Sequence, residues 1–166
     1  RKRRIAKSGS SEASNVYKGQ YREATGRQYR FFVPYEVKGK KQLVDGNNEF
    51  VAAVDKLVST ESKIDGDMAD IKGMIGQYVQ GNEPSHHMAY LYNYVGQPWK
   101  TQYWTRRLLD ELYAPTPERI SGNEDFGQMS AWYILRRFGF YQVCPGTDPF
   151  IPVSYPPLTL PTISSL

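Results

Sequence analysis

Apolar residues in the central part of the chain recur every three or four positions, which is the spacing of an amphipathic helix. This period predicts three helices, over residues 84–95, 98–112 and 125–138. A proline opens each of the first two, as suits the first helical turn. Asp125 and Gln128 have the spacing of a capping box at the start of the third. Each stretch therefore carries an apolar face and a start signal, and a glycine or a proline-rich breaker follows it.

The flanking segments have weaker patterns. Ahead of the three helices, the sequence predicts a short helix over residues 36–44 and a longer one over about 48–59. Residues 29–33 are an aromatic run that looks extended and is closed by a proline. Residues 60–80 are rich in glycine and aspartate and carry no clear period. After the last helix the period changes, so residues 140–144 are predicted to form a strand.

The two ends of the chain differ from its centre. From residue 145 onward prolines are so frequent that neither a helix nor a central strand fits, and residues 145–166 are expected to form an extended tail that wraps a surface. Residues 1–20 are expected to be a basic tail or loop. The body between them, residues 21–144, is expected to be mainly α, with antiparallel helices whose loops gather polar residues at one end.

Composition favours a folded chain, because 166 residues with 40% apolar and 14% aromatic content can bury a core. The net charge is +4, and the basic residues among the first seven positions exceed that whole excess. Since aromatic interleaving and a basic helical face are both missing, a solvated tail is favoured over a nucleic-acid-binding arm. The abrupt polar start suggests a truncated or processed chain.

Two classes of segment are not recognisable in the sequence. No apolar run is long enough to cross a bilayer, and no leader peptide is apparent. Cys144 is the single cysteine, so an internal disulfide is excluded. The cellular compartment stays open on these grounds.

Two loop-to-helix junctions concentrate the unusual polar residues. The first junction, residues 81–87, reads Gly-Asn-Glu-Pro-Ser-His-His, and the second junction, residues 122–128, reads Gly-Asn-Glu-Asp-Phe-Gly-Gln. Both place carboxylates at predicted helix N-termini, where capping alone explains them. Each holds more polar groups than a cap needs, however, and both helices run in the same sense from loops that can converge. A shared pocket is therefore the alternative to capping.

The first junction has the residue types of a metal site. Glu83 and either following histidine, His86 or His87, are spaced to share one helix face. Zinc would need a third ligand, and the chain offers only these two histidines and the distant Cys144. Calcium takes carboxylate, amide, backbone and water oxygens, so it suits Glu83 and Asn82 better.

A third polar cluster lies near the start of the chain, at residues 23–29. Glu23 is a surface acid on the simplest interpretation. If it faces Asp125 across a pocket, the two carboxyl groups form the acid and base pair of an inverting glycoside hydrolase, about 6.5 to 9.5 Å apart.

At these motifs the sequence resembles glycoside hydrolase family 92, the calcium-dependent exo-acting α-mannosidases. The resemblance is strong over residues 70–148 and looser over 21–58. It is carried by the following segments: Ile75-Gly76-Gln77-Tyr78, Gly81-Asn82-Glu83-Pro84-Ser85-His86-His87-Met88, Gly96-Gln97-Pro98-Trp99, Tyr113-Ala114-Pro115-Thr116-Pro117, Gly122-Asn123-Glu124-Asp125, Gly127-Gln128-Met129-Ser130-Ala131-Trp132-Tyr133, Gly139-Phe140-Tyr141 and Cys144-Pro145-Gly146.

The resemblance implies a fold and a set of roles. The helices would be part of an (α/α)6 toroid, and the chemistry would be inverting hydrolysis of terminal α-linked mannose assisted by calcium, in a secreted or periplasmic protein. Carried over by position, Glu23 corresponds to the general acid and Asp125 to the general base. Glu83, with Asn82, would lie at the calcium and sugar site, and the residues lining the pocket would be His86, Trp99 and Gln128.

The departures from the family pattern matter as well. Arg27 stands where tryptophan is usual, residues 35–36 where the family has His-Asp, residues 40–41 where it has an apolar pair, and Asn123 where a second aspartate is frequent. Family members are also several times longer, with a β-sandwich before the toroid. The chain is therefore expected to need the remainder of the catalytic domain or another chain, and to be inactive alone. The alternative function is a non-catalytic remnant that binds sugar or a protein partner.

Overall fold

A computed structural model of the chain describes residues 26–61, 73–116, 120–146 and 150–153. The described part is mainly helical, as the sequence predicts. Glu23, the basic tail and residues 154–166 lie outside the described residues, so the expectations for them stay predictions.

The first described elements are three α-helices, α1 (Gly26–Tyr29), α2 (Val37–Leu43) and α3 (Asn47–Ser59). The predicted helices over 36–44 and 48–59 are confirmed. The extended run predicted over 29–33 is wrong at its start, because Tyr29 ends α1 and the chain then turns. Burial accounts for this turn, since Phe31 packs edge-on against Phe50 of α3 with ring centroids 6.1 Å apart.

The first junction follows a small sheet and contains the first of two 3-10 helices. Strands β1 (Met74–Ile75) and β2 (Tyr78–Val79) pair antiparallel. Two 3-10 helices follow, at Glu83–Ser85 and Met88–Val95. The α-helix predicted over 84–95 is therefore wrong in type. Five consecutive residues from Met88 are buried, so packing surrounds the segment and an amphipathic period cannot distinguish an α-helix from the tighter 3-10 form.

Helix α4 (Pro98–Leu112) packs along the second 3-10 helix and confirms the sequence prediction. Its buried face carries Thr101, Thr105, Leu108 and Leu109. A polar contact outside the core reinforces this packing: Lys100 Nζ lies 2.5 Å from one carboxylate oxygen of Asp55 on α3, and the Tyr92 hydroxyl donates to the other at 2.9 Å. Three elements are thereby joined on one side of the core.

Helix α5 (Gln128–Arg137) begins three residues later than predicted, and the capping box of Asp125 and Gln128 is wrong. The N-cap is Gly127, in the left-handed conformation with φ +82°. Asp125 and Phe126 also have positive φ, +33° and +56°, so the chain turns through this loop before the helix can start. Glu124 Oε1 accepts from the Ser130 amide instead, at 3.2 Å.

Near its C-terminal end α5 buries a guanidinium group. Arg136 is 3% exposed, and its Nε and Nη1 have no hydrogen-bond partner among the described residues. Burial lowers the pKa of Arg136, and the neighbouring Arg106 and Arg137 lower it further. Tyr90 is close enough to interact with it electrostatically, and the buried Tyr90 hydroxyl also lacks a described partner.

The predicted strand over 140–144 is present but short. Strand β3 (Phe140–Tyr141) pairs antiparallel with β4 (Ile151–Pro152). Pro152 has no amide hydrogen to extend the ladder, and the Val153 amide donates to the Gly139 carbonyl at 2.7 Å. Within the described ranges, none of the helices combines the length and apolar character needed to span a bilayer.

Candidate active site

The two polar junctions meet through their backbones. Gly122 has φ +77°, and a Cβ atom added there would lie 2.4 Å from the Gly81 carbonyl oxygen and 2.7 Å from its Cα. That separation is far below van der Waals contact, so only glycine fits. The convergence of these two loops, which sequence offered as an alternative to capping, is present in the structure.

The segment that follows Glu23 lies against the first junction. Gln28 on α1 is buried, and its Nε2 donates to the Gln77 carbonyl at 2.7 Å. His87 Nε2 lies 2.8 Å from the Phe31 carbonyl. Residues 26–31 are therefore fixed beside residues 77–87. Glu23 itself precedes the described residues, and its distance to Asp125 is not defined.

His86 joins the two junctions. Its side chain is 1% exposed, with Nε2 2.9 Å from the Gln80 carbonyl and Nδ1 3.3 Å from Gln128 Nε2. The Trp132 indole donates to the His86 carbonyl at 3.2 Å. Burial lowers the pKa of His86 to about 4, so the imidazole is neutral at pH 7.

Gln80 is a further buried polar residue in this cluster, and sequence reasoning missed it. Its side chain accepts from the Tyr78 hydroxyl at 2.5 Å and donates to the Tyr113 hydroxyl at 2.8 Å. Tyr113 stacks on Trp132 with centroids 5.8 Å apart. Gln80 lies in the glycine- and aspartate-rich region that carried no period, so no signal distinguished it from a surface glutamine.

Asn82 and Glu83 stand at the start of the first 3-10 helix. Asn82 is 7% exposed and Glu83 is partly buried. Their carbonyls accept from the Ser85 and His86 amides at 2.9 and 3.0 Å, which fixes the backbone of the turn.

Asp125 lies at the second junction and is exposed to solvent. The neighbouring Glu124 turns inward: it contacts the Ser130 amide through Oε1, and its buried Oε2 has no hydrogen-bond partner within the described ranges. Glu124 therefore takes the helix-start role that sequence had assigned to Asp125. The Asp125 carboxylate is left facing water.

The donor set of the two junctions is rich in oxygen. Amide and carboxylate oxygens come from Asn82, Glu83 and Glu124, whereas both histidines direct Nε2 at backbone carbonyls. In the part of the chain that is described, no three His, Cys, Asp or Glu side chains are grouped closely enough to hold a metal by themselves. This chemistry fits a hard cation such as calcium, which also accepts water and backbone oxygens, and does not fit zinc.

The two remaining residues predicted to line the pocket, Gln128 and Trp99, lie on different helices. Gln128 is the first residue of α5 and contacts His86. Trp99 lies in the first turn of α4 and is 58% exposed. It follows the C-terminal end of an eight-residue 3-10 helix, whose rise is about 16 Å. Along the chain, that helix lies between the first junction and Trp99.

Comparison with known proteins gives one consistent family. The glycosyl hydrolase family 92 catalytic-domain model matches residues 2–159. A family GH92 α-mannosidase from Bacteroides thetaiotaomicron, solved in complex with mannoimidazole, is 45% identical with a TM-score of 0.68, over 74% of this chain and 16% of that chain. A family GH92 inverting mannosidase from Bacteroides thetaiotaomicron VPI-5482 is 34% identical with a TM-score of 0.65, over 80% of this chain and 19% of that chain.

A protein described as an uncharacterized secreted glycosidase from Arthroderma benhamiae is 28% identical over 112 residues, which is 68% of this chain and 13% of that protein. The chain thus spans less than a fifth of the length of each of these relatives. The helices of the described residues correspond to part of the (α/α)6 fold of the mannosidases.

Proposed function

Because the chain belongs to glycosyl hydrolase family 92, we propose that it is part of an exo-acting enzyme that hydrolyses terminal α-linked mannose with inversion, assisted by calcium. The observation that supports this most is the close approach of the Gly81 and Gly122 backbones, because the two junctions that carry the proposed acidic residues meet there. Residues 26–31, which follow Glu23 in the sequence, are hydrogen-bonded to residues 77 and 87, and this supports a position for Glu23 near the same junction.

In this proposal Glu23 is the general acid and Asp125 the general base. Glu23 protonates the glycosidic oxygen as the bond to the anomeric carbon breaks, and Asp125 takes a proton from the water that attacks the opposite face. The solvent exposure of Asp125 suits contact with that water. A carboxyl separation of about 6.5 to 9.5 Å is required to admit it.

Asn82 and Glu83 are the residues proposed to hold calcium, through their side-chain oxygens. When bound, the ion would engage sugar hydroxyls and help orient the terminal ring. His86, Gln128 and Trp99 are proposed to shape the sugar pocket. Trp99 offers an exposed aromatic face, on which a sugar ring can stack.

The test is release of mannose by the longest natural form of the protein from an α-mannoside, followed by proton NMR of the anomeric configuration. The expected product has inverted configuration, and a calcium chelator suppresses its formation. Asp125→Asn and Glu23→Gln are each expected to lower kcat/KM by at least about 100-fold, because each removes a proton-transfer group. Turnover with retained configuration would contradict the proposed mechanism.

A second candidate function is calcium-dependent sugar binding without turnover, or binding of a protein partner. The substitution of the usual tryptophan by Arg27 favours it, because α1, where Arg27 lies, packs beside the site. Calorimetry with mannose, with and without calcium, distinguishes the two functions. Heat of binding in a protein that forms no product would support the non-catalytic function. By likeness to the secreted glycosidase, we also propose an extracytoplasmic location.

A further inference from the structure

His86 is held between two groups of different hydrogen-bonding character. Its Nε2 lies 2.9 Å from the Gln80 carbonyl, which can only accept, and its Nδ1 lies 3.3 Å from the side-chain amide of Gln128. A neutral imidazole carries one N–H, and the Gln80 carbonyl requires it on Nε2. Nδ1 is then an acceptor, so Gln128 must present its NH2 group and not its carbonyl.

With Nδ1 of His86 as the acceptor, the NH2 group of Gln128 faces His86 at 3.3 Å. The Gln128 carbonyl oxygen is then the polar atom of this side chain left for a ligand. Gln128 is partly exposed, whereas His86 is buried behind it.

We propose that His86 is a positioning residue: in its Nε2-protonated tautomer it fixes the amide of Gln128 so that the Gln128 carbonyl oxygen accepts from a hydroxyl of the bound sugar. This deepens the proposed function and rests on it for the identity of the ligand. His86 itself touches no substrate. Its effect on the reaction passes through Gln128.

The tautomer is tested first, without any need for activity. Nitrogen-15 NMR of the labelled chain at pH 7 is expected to show a protonated-type shift for His86 Nε2 and an unprotonated-type shift for Nδ1. The opposite tautomer would overturn the proposal, because Gln128 would then have to turn its carbonyl toward His86.

Two substitutions of His86 each remove one of its two side-chain hydrogen bonds and keep the other. His86→Asn keeps an acceptor near the position of Nδ1 and loses the donor to Gln80. His86→Gln keeps a donor near the position of Nε2 and loses the acceptor for Gln128. In the longest active form, we expect His86→Gln to lower kcat/KM by about tenfold or more, and His86→Asn to retain most of it.

Thr105→Val is the control, since Thr105 is equally buried, donates to the Thr101 carbonyl within α4 and belongs to no proposed catalytic or binding group. Its kcat/KM is expected to stay near that of the parent. In a protein that already carries Gln128→Met, His86→Gln should lower kcat/KM no further, because His86 acts through Gln128. Equal loss in His86→Asn and His86→Gln, or additive loss with Gln128→Met, would show a merely structural role.

The outcomes distinguish this inference from the proposed function. If the parent protein releases no mannose, the proposed function fails while the NMR result still decides the tautomer. If the parent protein releases mannose but the two His86 variants have the same kcat/KM, only the positioning role of His86 is overturned.

Discussion

At the scale of single residues, the loop before α5 is the most strained part of the described chain. Asp125 and Phe126 both have positive φ, which side chains other than glycine, asparagine and aspartate rarely adopt. The Phe126 side chain is also fully exposed, so it gains no burial in return. The strain therefore lies next to the proposed base.

Replacing Phe126 by asparagine is expected to stabilise the chain by about 1 kcal/mol, because asparagine tolerates the left-handed region. Urea denaturation of the two proteins measures this difference. Phe126→Ala is the control, since alanine removes the exposed ring but keeps the backbone penalty. An equal gain in both variants would mean that ring exposure, and not backbone strain, is the cause.

Because both histidines are buried, the stability of the chain is expected to depend on pH. Burial lowers the folded-state pKa of His86 from 6.5 to about 4 and lowers that of His87. Between these values the unfolded chain takes up protons that the folded chain does not, so stability falls as the pH drops from about 6.5 to about 4. His86 alone accounts for about 3 kcal/mol of this loss.

Urea denaturation at intervals from pH 7 to pH 4 checks this, and His86→Asn should flatten the dependence. A free energy of unfolding that stays constant through this window would contradict neutral burial of the histidines.

At the scale of elements, the contact of Gly122 with Gly81 sets the position of the two junctions. Gly122→Ala is expected to destabilise the chain by more than about 2 kcal/mol, because the added Cβ meets backbone atoms that cannot turn aside. Gly96→Ala is the matched control: its φ of +73° is nearly the same, but nothing lies within 4 Å of the added Cβ.

Gly96→Ala should therefore lower the free energy of unfolding only by the cost of placing alanine at a positive φ, about 1 kcal/mol. Thermal unfolding of both variants gives the comparison. Equal losses would indicate that the close approach at Gly122 is not rigid.

Helices α2, α3 and α4 were predictable because their apolar stripes and start or stop residues agree. The 3-10 form of Met88–Val95 was not predictable, because its first five residues are all buried and show no exposed face from which the period could be recognised. The cap of α5 was misassigned since Glu124 and Asp125 are adjacent acids, and only the backbone conformation decides which one turns inward.

The same reasoning applies to the site. The two junctions were identified from their residue types, whereas Gln80 and the orientation of Gln128 depend on contacts between distant segments. The role of Glu23 stays a prediction.

At the scale of the whole molecule, the described residues leave large apolar side chains on the surface, among them Trp99, Tyr103, Phe138 and Phe150. Such exposure is expected of helices whose counterparts in relatives make up less than a fifth of the chain. The buried guanidinium of Arg136 is consistent with this, because its Nε and Nη1 have no hydrogen-bond partner among the described residues.

Arg136→Met is accordingly expected to leave the stability of this chain unchanged or to raise it by about 1 to 3 kcal/mol, since a buried guanidinium with two unsatisfied nitrogens is unfavourable. Chemical denaturation checks it. Arg107→Met is the control, as Arg107 is exposed and bonds Glu111 at 2.5 Å, a surface pair worth less than about 1 kcal/mol. A marked loss for Arg136→Met would reveal an acceptor outside the described residues.

The contact between Gly81 and Gly122 also has a consequence for motion. Since the two backbones already lie at the closest approach that glycine allows, a displacement of one loop toward the other would carry the second loop and the start of α5 with it. In the proposed enzyme, inward motion at this contact would therefore involve both loops at once.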